Sequence, residues 1–268
     1  MSKETSVKTS TKKRGPIIGA FIIALFLTLI LYVCITASTN VKAMHQCIDG
    51  VIAELEQNYD IRPVDVGSYQ EMTISKVMKF HVSQYEIPEL GNLSIMHVNM
   101  GLMQMATIVI TPQDKNMPLL SADYMYILSN RKAYLEFYDV VAEKDAFYNT
   151  LLEKLSSTIE NYEHLENIET SPAWYEHLLT VTSYKGGKPA NDTDLKNLLT
   201  DSVRVYLQHA KALPLLSDEE RSQKLDITVA YTNGLIEKGG ISTDVFKKEL
   251  GDEATKEFFD NIFFGTSR

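Results

Sequence analysis

QMATIVITPQDKNMPLLSADYMYILSNRKAYLEFYDVV, residues 104–141, decides the fold. Three runs rich in β-branched and aromatic residues are separated by the turn chemistry of Pro112–Asn116 and of Ser129-Asn130-Arg131, the pattern of consecutive antiparallel strands. Side chains on a strand alternate between faces with a period of two. Thr107, Val109 and Thr111 therefore oppose Ala106, Ile108 and Ile110, and Tyr134, Glu136 and Tyr138 oppose Ala133, Leu135 and Phe137. Asp123 shares a face with Ser121, Met125 and Ile127, while Tyr124 and Tyr126 point the other way. An acid on a mostly apolar strand face is the most informative residue of the stretch.

Upstream, residues 77–87 and 93–100 alternate in the same way and carry His81 and His97 on neighbouring strands. Short connections make antiparallel neighbours, so about five strands form a meander, with a sixth expected at 177–184. Downstream the period becomes helical. Phe147, Leu151, Leu155 and Ile159 form one stripe, and Leu195, Leu199, Tyr206 and Ala210 a second. Ser217 with Glu220 reads as a capping box opening a third helix, and apolar residues from Val245 to Phe263 mark a last helical region. Strands followed by helices imply helices packed on a sheet.

Residues 15–37, GPIIGAFIIALFLTLILYVCITA, lack charge and are long enough to span a bilayer, which takes about 20 apolar residues. A cleaved secretory signal has a shorter apolar core, so an uncleaved anchor is the reading taken, with cleavage near Ala37 or Ala43 as the alternative. Residues 1–14 are basic, about +4, which leaves about −13 of the net −9 on the rest. The positive-inside bias then puts the N-terminus in the cytoplasm and the domain on the extracytoplasmic side of the cell membrane, as a single-pass protein. An acidic domain excludes nucleic acid as partner. Cys34 and Cys47 provide no disulfide framework and no metal spacing. The organisation expected is a basic tail (1–14), an anchor (15–37), a helical stalk and linker (38–70), in which residues 43–59 continue the anchor or pack on the domain, and a globular domain (71–268).

The order of MPLLSAD (117–123), EFYDVV (136–141), SPAW (171–174) and FKKELGDEATKEFFDNIFF (246–264) resembles the ferredoxin-dependent bilin reductases and their relative, red chlorophyll catabolite reductase. The resemblance covers about residues 77–264. It implies an α/β/α sandwich, a central antiparallel sheet flanked by helices. It also implies a linear tetrapyrrole held between the sheet and the C-terminal helices. Single electrons would come from an external electron-transfer protein such as ferredoxin, with protons supplied by side chains and no bound metal or flavin. Asp123 matches the family's catalytic aspartate, and Asp201 or Asp226 stands for a second aspartate on the C-terminal helices. The sequence departs from the family where a histidine is usual on the preceding strand, near Met105 or Ala106, and at Ser121, where the family has glycine.

An apolar setting raises a carboxyl's pKa and lets it donate a proton near neutral pH, so Asp123 is the candidate acid, with His81 and His97 as auxiliary proton donors. The plainer alternative makes Asp123 a partner of the Pro118 turn, the histidines and Trp174 core or surface residues, and Asp201 a solvated helical acid. Two functions follow. One is a membrane-anchored reductase of a linear tetrapyrrole. The other is an extracytoplasmic, non-catalytic ligand-binding or interaction module on the same fold, favoured by the repulsion an acidic domain exerts on an acidic electron carrier.

Overall fold

In the computed structural model the described residues are 15–76 and 78–267, with side chains described from Phe21 onward except those of Ile241 and Ser242. The basic segment 1–14 lies outside them. Six strands form an antiparallel meander: β3 (Met78–Ile87), β4 (Gly91–Asn99), β5 (Met103–Pro112), β6 (Leu119–Ile127), β7 (Asn130–Tyr138) and β9 (Leu179–Gly187). The short strands β1 (Arg62–Val64) and β2 (Glu71–Ile74) both pair with β3, and β8 (Glu166–Asn167) closes the other edge on β9. Helices cover both faces, giving the expected α/β/α sandwich. The strand expected after the 129–131 turn begins within it, at Asn130, which pairs with Ile127, and ends at Tyr138, where its pairing with β9 slips.

One face of the sheet packs on α1 (Gly15–Glu56), α2 (Ala146–Glu160) and α3 (Asp192–Ala212). The other packs on α4 (Asp218–Lys238), α5 (Ile241–Leu250), α6 (Asp252–Glu257) and a π-helical turn, Phe258–Phe263. Local chemistry sets the helix starts. Asp145 caps α2 by accepting from the Tyr148 amide at 2.7 Å. The Ser217/Glu220 capping box of α4 forms in both directions, at 3.3 and 2.7 Å.

Helix α1 combines the two courses open to residues 43–59: it continues the apolar segment and packs on the domain. It runs unbroken for 42 residues, roughly 63 Å at 1.5 Å per residue. Its outer part, which includes Phe21 to Ile35, is exposed and apolar enough to cross a bilayer. From Asn40 onward it enters the core: Met44, Cys47, Val51 and Leu55 are buried with the α3 residues Leu199 and Val203. The inner half of α1 is thus a core helix, and β1 extends the domain into the segment taken as linker. Gly50 marks the α1–α3 crossing, since a Cβ there would lie 2.6 Å from Thr200 Cγ2. Asn40 Nδ2 donates to Leu128 O (3.0 Å), Cys47 Sγ lies 3.2 Å from the Tyr126 hydroxyl, and Arg204 pairs with Glu54.

The C-terminus is latched to the sheet by a buried polar ladder. Ser94 Oγ donates to Ile262 O at 2.6 Å, Gln84 Nε2 to Asn261 O at 3.0 Å, and Asn92 Nδ2 to the carbonyls of Ile262 and Phe263 at 3.4 Å. Carbonyls at a helix end need partners, and these side chains provide them for the widened turn. Phe258, Phe259 and Phe263 then pack against Phe246 and the sheet.

Candidate functional site

Register across the sheet builds the site. On the face toward α4–α6, one row runs Val82, Met96, Thr107, Asp123, Tyr134, Tyr184. On one side of it lies the row Phe80, Val98, Met105, Met125, Lys132. On the other lies Gln84, Ser94, Val109, Ser121, Glu136, Thr182. The helices bury the β3–β5 part of this face: Phe80, Val82, Met96, Val98 and Val109 are closed off. Ser121, Asp123, Met125, Ile127, Tyr134, Glu136 and Tyr184 stay half-buried. The result is a shelf over β6, β7 and β9 with methionines and tyrosines at its sides and two carboxylates, Asp123 and Glu136, on diagonally adjacent positions of its floor.

Asp123 accepts a short hydrogen bond from Thr107 Oγ1. Burial pushes its carboxyl up to about 6, against the lowering effect of the Thr107 bond and with help from the charge of Glu136. It therefore holds a proton over part of the physiological range. Both Glu136 oxygens are engaged, one by the Tyr138 hydroxyl (2.5 Å) and the other by Tyr184 (2.8 Å). Burial raises the phenols of Tyr138, Tyr175, Tyr184 and Tyr231 above their usual range, and Glu136 adds to each rise. These groups remain neutral O–H donors. Tyr138, Tyr175 and Tyr231 pack together, with ring centroids 4.9–6.3 Å apart, and tie the sheet to α4. Chemically, the shelf offers apolar flanks, phenolic donors and one carboxyl able to deliver a proton near pH 6.

The other sequence candidates lie elsewhere. His97 pairs with Ala106 and His81 with His97, so both project from the opposite face, toward α1, where His97 stacks on His81 (5.1 Å) and meets His45 edge-on (5.2 Å). Burial and the two neighbouring histidines push His97 down to about 4. As auxiliary proton donors for a ligand over Asp123 they would need to share its face; the register puts Ala106, not Thr107, opposite His97 and sets them on the other face. Asp201 sits on α3, also on the opposite face, accepting from Tyr162 (2.5 Å) and pairing with Arg204 (2.7 Å). Asp226 is on α4, on the correct side of the sheet, but is exposed. The alternative role for Asp123 at the Pro118 turn is not seen: Pro118 O accepts from the Tyr206 hydroxyl instead. Trp174 is held by α4, donating to Gly239 O (3.1 Å) and lying over Gly234, where a Cβ would come within 2.3 Å of its ring.

Two features escaped the sequence reading. Glu136 shares its strand face with Tyr134 and Tyr138, and that alternation was the available signal. Lys224 is a buried amine on α4 that donates to Met117 O (2.7 Å) and Val140 O (3.0 Å), beside a cavity of about 250 Å³ at the far ends of β3–β5. Burial pushes it down to about 7; nothing local in the sequence marks it. Among the described residues no cluster of three histidine, cysteine, aspartate or glutamate side chains is placed to hold a metal ion.

No protein-family model matches the chain, and no curated protein does. The chain does share its fold with a solved structure of low sequence identity. The crystal structure of phytochromobilin synthase from tomato in complex with biliverdin superposes with a TM-score of 0.66 at 12% identity, over 82% of this chain and 82% of that one.

Proposed function

We propose that the shelf around Asp123 binds a linear tetrapyrrole and that Asp123 protonates it, in a protein anchored to the cell membrane by residues 15–37 with its N-terminus in the cytoplasm and its domain outside. The observation that carries this reading is the half-buried Asp123 carboxyl between methionine and tyrosine flanks, raised to about 6, beside a Glu136 whose oxygens are held by two tyrosines. A linear tetrapyrrole matches that layout. Its pyrrole and lactam edge takes hydrogen bonds and a proton at the floor, while its substituents meet methionine and tyrosine flanks. The shared fold with a protein crystallised with biliverdin supports the ligand class. Reduction requires electrons from an external carrier such as ferredoxin, with Asp123 supplying the accompanying proton.

A second reading is binding without turnover. It is favoured by the tyrosine hydrogen bonds that already occupy both oxygens of Glu136, and by the acidity of the domain, which repels an acidic electron carrier. Titrating the full chain with biliverdin, with and without a reducing system, tests both. Asp123→Asn should keep affinity within about tenfold, or 1.4 kcal/mol. Any turnover should fall about 10²-fold or more, the scale of general-acid catalysis. Absent turnover in wild type with an altered bilin spectrum in the variant selects the second reading. No binding at micromolar biliverdin refutes both.

A further inference from the structure

The geometry of α1 points to a membrane-docking surface: we infer that the end of the sheet carrying the Met100–Leu102 and Leu128–Ser129 turns rests in the headgroup layer of an anionic bilayer. This deepens the anchoring part of the proposed function and rests on it.

Three observations lead there. The first is distance. Ile35 is an exposed apolar residue of the outer helix, and Asn40, one turn and a half later, is already hydrogen-bonded to Leu128 O. Five residues of helix span about 7.5 Å, while the headgroup layer on each side of the hydrocarbon core is roughly 5–8 Å thick. Because α1 is unbroken and is fastened again at Cys47 and Glu54, no joint allows the domain to swing away. If the outer helix is in the bilayer, the Leu128 turn is at its surface.

The second is the side chain at the neighbouring tip. Leu102 is 51% exposed at the apex of the β4–β5 hairpin, on this same end of the sheet. In water it gains nothing there; in an interface it buries.

The third is charge. Lys42, Lys76, Lys132 and Lys188 lie at this end and form no ion pair among the described residues. Of the acids at this end, Asp192 is paired with Arg131 and Glu249 is bonded to Ser75 Oγ, so these four lysines are its unpaired cations alongside Glu166. Basic residues are attracted to an anionic leaflet, and these lysines hold this end down. The docking also explains the way the shelf opens. The pairs Met105–Met125 and Met103–Ile127 lead from Asp123 to this end, so the apolar rim of the binding surface faces the bilayer, from which a poorly water-soluble ligand enters.

Site-directed spin labelling tests it. In full-length Cys34→Ser protein, where Cys47 stays buried, single cysteines replace Phe26, Leu102 or Glu89 in phosphatidylcholine–phosphatidylserine vesicles. Collision with oxygen and with a water-soluble nickel chelate reads the depth of each label. Phe26→Cys should report hydrocarbon, Glu89→Cys water, and Leu102→Cys an interfacial depth, with most nickel collision lost relative to Glu89→Cys. If Leu102→Cys matches Glu89→Cys while Phe26→Cys is in hydrocarbon, the docking is wrong and the anchor stands. If Phe26→Cys is also in water, the anchor falls and the docking with it.

Discussion

Asp123→Asn should stabilise the fold above about pH 6 and leave it unchanged near pH 4. Asparagine keeps the size of the side chain and an oxygen to accept the Thr107 bond, but cannot ionise. At about 1.4 kcal/mol per pKa unit, a carboxyl moved from 3.8 to about 6 costs roughly 3 kcal/mol when ionised in the folded state. The side chain is half-buried, and solvent screening reduces that to about 2 kcal/mol. The sign follows from linkage. Below 3.8 the carboxyl is protonated in both states and makes no difference to stability. Between 3.8 and about 6 the unfolded chain ionises first, so wild-type stability falls as pH rises, and above about 6 the whole cost is present. For a domain of this size about 1 kcal/mol moves Tm by about 2–4 °C, so the variant should melt about 4–8 °C higher at pH 7.5 and within about 1 °C at pH 4. Thermal melts of full-length wild type and variant in the same detergent micelle measure the difference, and effects of other titrating groups largely cancel in it. A pH-independent gap, or a variant less stable at pH 7.5, would refute the claim that Asp123 is desolvated.

Leu55→Ala, in the inner half of α1, should destabilise the domain by about 2–5 kcal/mol, the cost of a core cavity; denaturant midpoints check it, and an unchanged midpoint would return this segment to the status of a stalk. Asn92→Ala should cost about 2 kcal/mol by leaving the ladder and two carbonyls short of a partner, and hydrogen exchange should show the Phe258–Phe263 turn loosened before the sheet. Cys47, whose thiol burial pushes up to about 11, should resist maleimide at neutral pH until the protein is denatured, whereas Cys34 should react in detergent; mass spectrometry distinguishes them.

The long meander strands were legible because nine or ten residues of alternation leave little room for another assignment. The face shared by Asp123, Ser121, Met125 and Ile127 followed from the same alternation. Strands of two to four residues, β1, β2 and β8, carry too few alternations to read. The placement of His81 and His97 failed for a different reason. Each strand's own pattern is local, but the offset between strands is set by turns and packing, and that offset decided that Ala106 rather than Thr107 faces His97. The π-helical turn was equally hidden, since it depends on Gln84, Asn92 and Ser94, over 160 residues earlier in the chain. Lys224 became notable only once Met117 and Val140 supplied carbonyls to it.

The unbroken course of α1 also decides what proteolytic release can yield. Many anchored domains are shed by a cut in a flexible juxtamembrane tether. Here a cut between residues 57 and 70 would separate the sheet from Met44, Cys47, Val51 and Leu55, which are buried in its core, and the freed product would have lost a wall of its fold. Only a cut just before Asn40, in the few residues between the apolar run and the first buried side chain, could release an intact domain, and those residues are wound into helix, a poor protease substrate. A fragment that keeps the whole fold therefore has to begin at residue 40 or earlier rather than at the first strand.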